Sequence, residues 1–177
     1  MGIADQISDV LAALRWVEQN MYARGGDPTG VVLVGYSAGG HLVSMIGLDP
    51  IYRANVRGIV SISGILDVHA MAAGQDASFN EEVTHRLFGR TEAEQARLSP
   101  SSFLRGDAPP MLALAAQKDY PFVIAAAKST TAKLTAMGAR ATYREVPGYD
   151  HADMVLGIDT NDDRVSDAVA EFVRSVR

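Results

Sequence analysis

The sequence predicts an α/β fold, three layers of helix, sheet and helix around a mostly parallel sheet. Two observations predict it. Short apolar runs alternate along the chain with segments whose apolar residues recur at helical spacing. The runs are continuous and rich in β-branched residues, not alternating apolar and polar, which is how strands covered on both faces read. The chain has 177 residues, with 47% hydrophobic and 21% charged content. Those values suit one globular domain, residues 1–177, and exclude a disordered or fibrous chain.

Taken in order, residues 5–23 place Ile7, Val10, Leu11, Leu14, Val17 and Met21 on one helical stripe. Gly25-Gly26-Asp27-Pro28-Thr29-Gly30 breaks that helix. Val31 to Val34 reads as a buried strand, and a helix follows Ser37 to about Leu48. Gly58 to Ser63 is the second strand. Residues 67–108 are irregular and read as a short helical cap insertion. Within them, Asn80 to Leu87 suits a short helix. Thr91 with Glu94 forms a capping box opening another. Met111 to Ala115 is a third strand. Pro121 then starts a helix carrying Ile124, Ala127, Thr131, Leu134 and Met137 to Gly138. Ala141 to Val146 is a fourth strand, and Val165 to Val176 a last amphipathic helix.

Composition removes several function classes. The net charge is −5 with no basic run, which argues against a nucleic-acid partner. There is no cysteine, so disulfides, thiolate metal sites and cysteine nucleophiles are out. No apolar run approaches the roughly 20 residues of a membrane span. The first residues, with Asp5 and Asp9, do not read as a secretory leader. A cytoplasmic location, no membrane partner, no metal and no cofactor are the resulting expectations.

The informative segment is Gly35-Tyr36-Ser37-Ala38-Gly39, a G-x-S-x-G pattern set between a strand and a helix. That context presents a serine hydroxyl on a strained turn above the sheet, with flanking glycines allowing close passage of neighbouring elements. Ser37 is therefore the candidate nucleophile, and the Ala38 N–H a candidate oxyanion donor. Such a serine needs a base. Of His41, His69, His85 and His151, only His151 follows a strand at the carboxyl edge, where α/β sheets bind ligands. Asp119 follows the third strand and is the candidate acid, with Asp67 as rival and a helix N-cap as its competing role. The order Ser37, Asp119, His151 matches that of α/β-hydrolases. Tyr36, His41 and Tyr120 are candidate substrate-binding residues, with a structural role as the alternative for His41. Met71, Phe79, Leu87, Phe88 and Phe103 are candidates for an acyl pocket or for plain core packing. Asp150 and Asp153 read as solvated loop charges.

Gly25-Gly26-Asp27-Pro28, Gly35 through His41, Ser61 through Asp67, Leu98-Ser99-Pro100, Ala108 through Met111 and Val146-Pro147-Gly148 together resemble the bacterial carboxylesterase and hormone-sensitive-lipase-like branch of the α/β-hydrolases. The related arylformamidases are similar. The resemblance implies a serine hydrolase of small or short-chain esters, working through an acyl-enzyme without cofactor. It also implies further strands ahead of residue 5 and a His-Gly-Gly-Gly oxyanion loop, a run absent from this sequence. On that reading the fold is a truncated α/β-hydrolase whose first strand has an open edge, and a homo-oligomer through that edge is expected. A non-catalytic binding or assembly module and an arylformamidase-like amide hydrolase are the alternatives.

Overall fold

A computed structural model describes residues 2–52 and 54–176. Four strands form one parallel sheet in the order β1 (Val32–Tyr36), β2 (Gly58–Ile62), β3 (Met111–Lys118) and β4 (Ala141–Asp150). Helices α1 (Ile3–Asn20) and α2 (Ala38–Leu48) flank β1 in sequence. The long connection between β2 and β3 holds α3 (Val68–Ala73), α4 (Ala77–Phe79), a π-helical turn at Asn80–Thr84, α5 (His85–Phe88) and α6 (Glu92–Arg97). Helix α7 (Pro121–Ala136) joins β3 to β4, and α8 (Asp153–Leu156) and α9 (Arg164–Ser175) follow β4.

Alternation along the strands divides the core into two layers. Ile59, Met111 and Ala113 face one side, where Leu48 of α2 and Leu134 of α7 cover them. Val60, Ile62, Leu112 and Leu114 face the other, against Val165 and Phe172 of α9. A third cluster joins Ile3 and Ile7 of α1 to Met45 and Ile46 of α2 and to Met71 and Phe88 of the β2–β3 connection. That connection is thus anchored by burial of large apolar side chains, each of which stabilises it by about 1.5–3 kcal/mol.

Three expectations need correction. The Val31–Val34 run is not the strand buried on both faces: β2 is buried throughout, while Val34 of β1 is 46% exposed. The reason is topological, because β1 lies at the edge of the sheet formed by the described residues. The fourth strand does not stop at Val146 but pairs on to Asp150 opposite Lys118, across a register shift after Ala116. Gly148, at φ +80°, absorbs the irregularity. Finally, Asp67 caps α3, accepting from the Ala70 N–H at 3.0 Å, a helix the sequence pattern did not reveal. The Thr91–Glu94 capping box forms as the spacing predicts.

Candidate active site

In a parallel sheet all strands end on the same rim, so the residues that leave them are gathered there. The residues directly after β1, β2, β3 and β4 are Ser37, Ser63, Asp119 and His151. Ser37 sits at φ 52°, ψ −116°, a conformation strained for a residue with a Cβ. Its N–H donates to the Ile62 carbonyl at 2.8 Å, and its carbonyl accepts the first helical bond of α2 from His41 at 3.1 Å. The turn is therefore clamped between β2 and α2.

The glycines around it have separate jobs. A Cβ on Gly35 would stand 2.2 Å from the Gly39 carbonyl oxygen, and one on Gly40 would stand 2.7 Å from Gly64 Cα. A Cβ on Gly39 would meet nothing within 4 Å. The close passage expected of the two motif glycines thus belongs to Gly35 and Gly40. Ala38, the first residue of α2, has no acceptor for its N–H within the helix.

His151 Nε2 lies 3.1 Å from Ser37 Oγ, and its Nδ1 lies 2.8 Å from Asp119 Oδ1. Because a carboxylate only accepts, Nδ1 carries the hydrogen and Nε2 is left to accept from the serine. The Asp119 carboxylate is fully enclosed, while the imidazole keeps 24% of its surface exposed. Asp119 is not an N-cap. Tyr120 occupies that position before Pro121, and the Tyr120 N–H donates to Asp119 Oδ1 at 2.9 Å.

The strand end carrying His151 is braced by neighbours. The Tyr36 hydroxyl donates to the His151 carbonyl at 2.9 Å, and its ring centroid lies 5.1 Å from the imidazole. Burial, then the nearby Asp119 carboxylate, push the Tyr36 phenol above its usual range, so it stays a donor. The Gly148 N–H donates to Gln117 Oε1 at 2.8 Å. Asp150 and Asp153 are not free loop charges. Each carboxylate accepts the other's backbone N–H, at 3.0 and 2.9 Å.

A cavity of about 310 Å³ opens beside Ser37 and His151. Met71, Gln75 and Phe79 wall it from the β2–β3 connection, and Tyr120, Phe122 and Val123 from the start of α7. Tyr120 is half exposed and stacks on Phe122 at 5.6 Å. The structure does not bring His41 there. It is 1% exposed, its Nε2–H donates to the Leu98 carbonyl at 2.7 Å, and its ring meets Phe88 edge-on. Burial pushes His41 below the usual histidine range, which keeps it neutral. Leu87, Phe88 and Phe103 likewise pack in the core. Ser63, Ile65, Gln75, Phe122 and Val123 are the lining residues that sequence reasoning missed. A broader depression of about 530 Å³ beside Tyr149 and Arg164 is lined by no serine and no histidine. Among the described residues, no group of three or more His, Asp or Glu could hold a metal ion. No described helix is long and apolar enough to cross a membrane.

The BD-FAE family model matches residues 2–134. The chain belongs to the BD-FAE family. Esterase LipC of Mycobacterium tuberculosis is 29% identical over 187 residues, covering 96% of this chain and 46% of the relative. Probable carboxylic ester hydrolase LipM of the same organism is 30% identical, covering 86% of this chain and 39% of the relative. This BD-FAE member spans less than half the length of these curated relatives. A truncated carbohydrate esterase from gut microbiota superposes with a TM-score of 0.80 at 24% identity, over 97% of this chain and 68% of the other. A thermophilic esterase from Thermogutta terrifontis gives 0.75 at 21% identity, over 99% and 65%. The fold is accordingly the α/β-hydrolase fold that the sequence resembles. The family match ends at residue 134, so β4 and His151 lie beyond it.

Proposed function

We propose that this chain is a serine carboxylesterase acting on small or short-chain esters, with Ser37, His151 and Asp119 as its catalytic triad. The observation that carries the reading is the continuous chain of contacts from Asp119 Oδ1 through His151 to Ser37 Oγ, at 2.8 and 3.1 Å. In the reaction, Ser37 Oγ attacks the ester carbonyl as His151 Nε2 takes its proton. Charge develops on the carbonyl oxygen, and the Ala38 N–H at the positive end of α2 is one donor to it. His151 returns the proton to the leaving alcohol, and the acyl group stays on Ser37. A water, deprotonated by the same imidazole, attacks the acyl carbon and releases the acid as the imidazolium returns its proton to Ser37 Oγ. Asp119 fixes the tautomer and stabilises the imidazolium in both halves.

The reading is supported by the curated relatives, which are esterases and a probable carboxylic ester hydrolase. The cavity of about 310 Å³, at the small end of ligand pockets, favours a short acyl or alcohol group. On this reading residues 1–177 form a single hydrolase domain. Residues 67–108 are its cap, supplying Met71, Gln75 and Phe79 to the cleft wall. Turnover of p-nitrophenyl acetate and butyrate tests the proposal. The expected result is saturable hydrolysis that drops at least about a thousandfold in Ser37→Ala. Folded wild-type protein no faster than Ser37→Ala overturns it.

A further inference from the structure

We propose that Ser63 is a positioning residue of this site, acting through Asp119 to hold the carboxylate aligned on His151. The inference rests on the esterase reading above. Ser63 leaves β2 as Ser37 leaves β1, and it too has a positive φ, of 48°. Among the described residues only three that are not glycine do so: Ser37, Ser63 and Asp159. Two of the three thus stand at adjacent strand ends of one site, where backbone strain persists only if the surroundings enforce it.

The strain places a hydroxyl. Ser63 is fully buried, its N–H is held by the Leu114 carbonyl at 2.8 Å, and its Oγ donates to Asp119 Oδ2 at 2.5 Å. The other donor to Oδ2 is the Ala116 N–H at 3.2 Å, a longer bond. Oδ1 is already shared by His151 Nδ1 and the Tyr120 N–H. Ser63 is therefore the short, charge-assisted partner of the oxygen that does not touch the histidine.

With the hydroxyl gone, the carboxylate is less firmly aligned and more of its negative charge is left to face the imidazole, so the acid limb of the kcat/KM profile is expected to shift to higher pH. The other groups around the pair do not replace Ser63. Lys118, Asp150 and His151 share the rim with Asp119 and Tyr120, and Asp153 is engaged with Asp150. Tyr36 and Tyr143 both hold phenols raised by burial, Tyr143 to about 12, and so stay neutral in the working range.

Two variants separate the hydroxyl from the backbone. Ser63→Ala removes the hydroxyl and keeps the Cβ; Ser63→Gly removes both and relieves the positive φ. Both are expected to lose about tenfold in kcat with KM within about twofold, and to shift the acid limb upward by roughly half a pH unit or more. In parallel, the low-field proton NMR resonance of His151 Nδ1–H is expected to titrate at higher pH in both. That readout needs no turnover. If wild type and variants share one NMR titration and one pH profile, or if the loss is uniform across pH, the role of Ser63 is overturned. If the NMR shift appears but wild type shows no Ser37-dependent turnover, the esterase reading fails and the role in activity falls with it.

Discussion

Among the described residues there are two histidine–carboxylate pairs, and they behave as different objects. His151 Nδ1 lies 2.8 Å from Asp119 with the carboxylate wholly buried. His85 Nδ1 lies 3.2 Å from Glu81, i and i+4 along a helical stretch, with the carboxylate 57% exposed. Asp119 accepts four hydrogen bonds from four places in the chain, whereas Glu81 pairs with His85 and the exposed Arg90. The far nitrogen of His151 meets a serine. The contact between ring and carboxylate is therefore the least distinctive part of a site. Burial of the acid and a third group on the far nitrogen make the difference, and both come from the sheet edge, not from a helix surface.

The sharpest way to break that comparison is to delete each ring. His151→Ala should lower ester turnover by about a thousandfold or more, and His85→Ala should leave it within twofold. Equal effects would remove the distinction. Next in size is the backbone beneath Ser37. Gly35→Ala forces a Cβ to 2.2 Å from the Gly39 carbonyl and should cost about 3 kcal/mol or more. Gly39→Ala should be neutral to about 1 kcal/mol stabilising, by helix propensity. Urea melts of both compare them directly. His41 links the two regions, tying α2 to the β2–β3 connection through Leu98. His41→Leu removes the partner of that part-buried carbonyl and should cost about 1–3 kcal/mol, with faster amide exchange in α6 than in the sheet.

The smallest effect belongs to the exposed pair. Arg90, then His85, hold the Glu81 carboxyl below its usual range. A depressed carboxylate stabilises the fold above its unfolded pKa, and the contribution is lost as pH falls through the folded value. Lowering pH through the carboxylate range should loosen the helices around Glu81 slightly before the sheet, in hydrogen exchange. Added salt at neutral pH should reproduce part of that loosening.

Much of the arrangement is legible in the sequence because it is local. The strand-to-helix context of Gly35 to Gly39 needs only neighbours, and so does the Thr91 capping box. Strand ends place Asp119 and His151 on the rim without any knowledge of distance. What is not legible depends on partners remote along the chain. Ser63 has no local signal, since its role exists only because Asp119 arrives from another strand. Burial of β1 depends on what stands beside it in the sheet. His41 reads as a pocket residue until Leu98 comes down upon it. Helix α3 is a single Ala-rich stretch whose cap, Asp67, looks like a candidate acid because it follows the second strand.

The most direct test of the role of Ser37 is its reaction with a fluorophosphonate, followed by peptide mass mapping. The modification is expected on Ser37 alone, abolished in Ser37→Ala and slowed at least about a hundredfold in His151→Ala. Folded wild-type protein that takes up no probe, or adduct that persists after Ser37 is replaced, would contradict a nucleophilic serine at the end of β1.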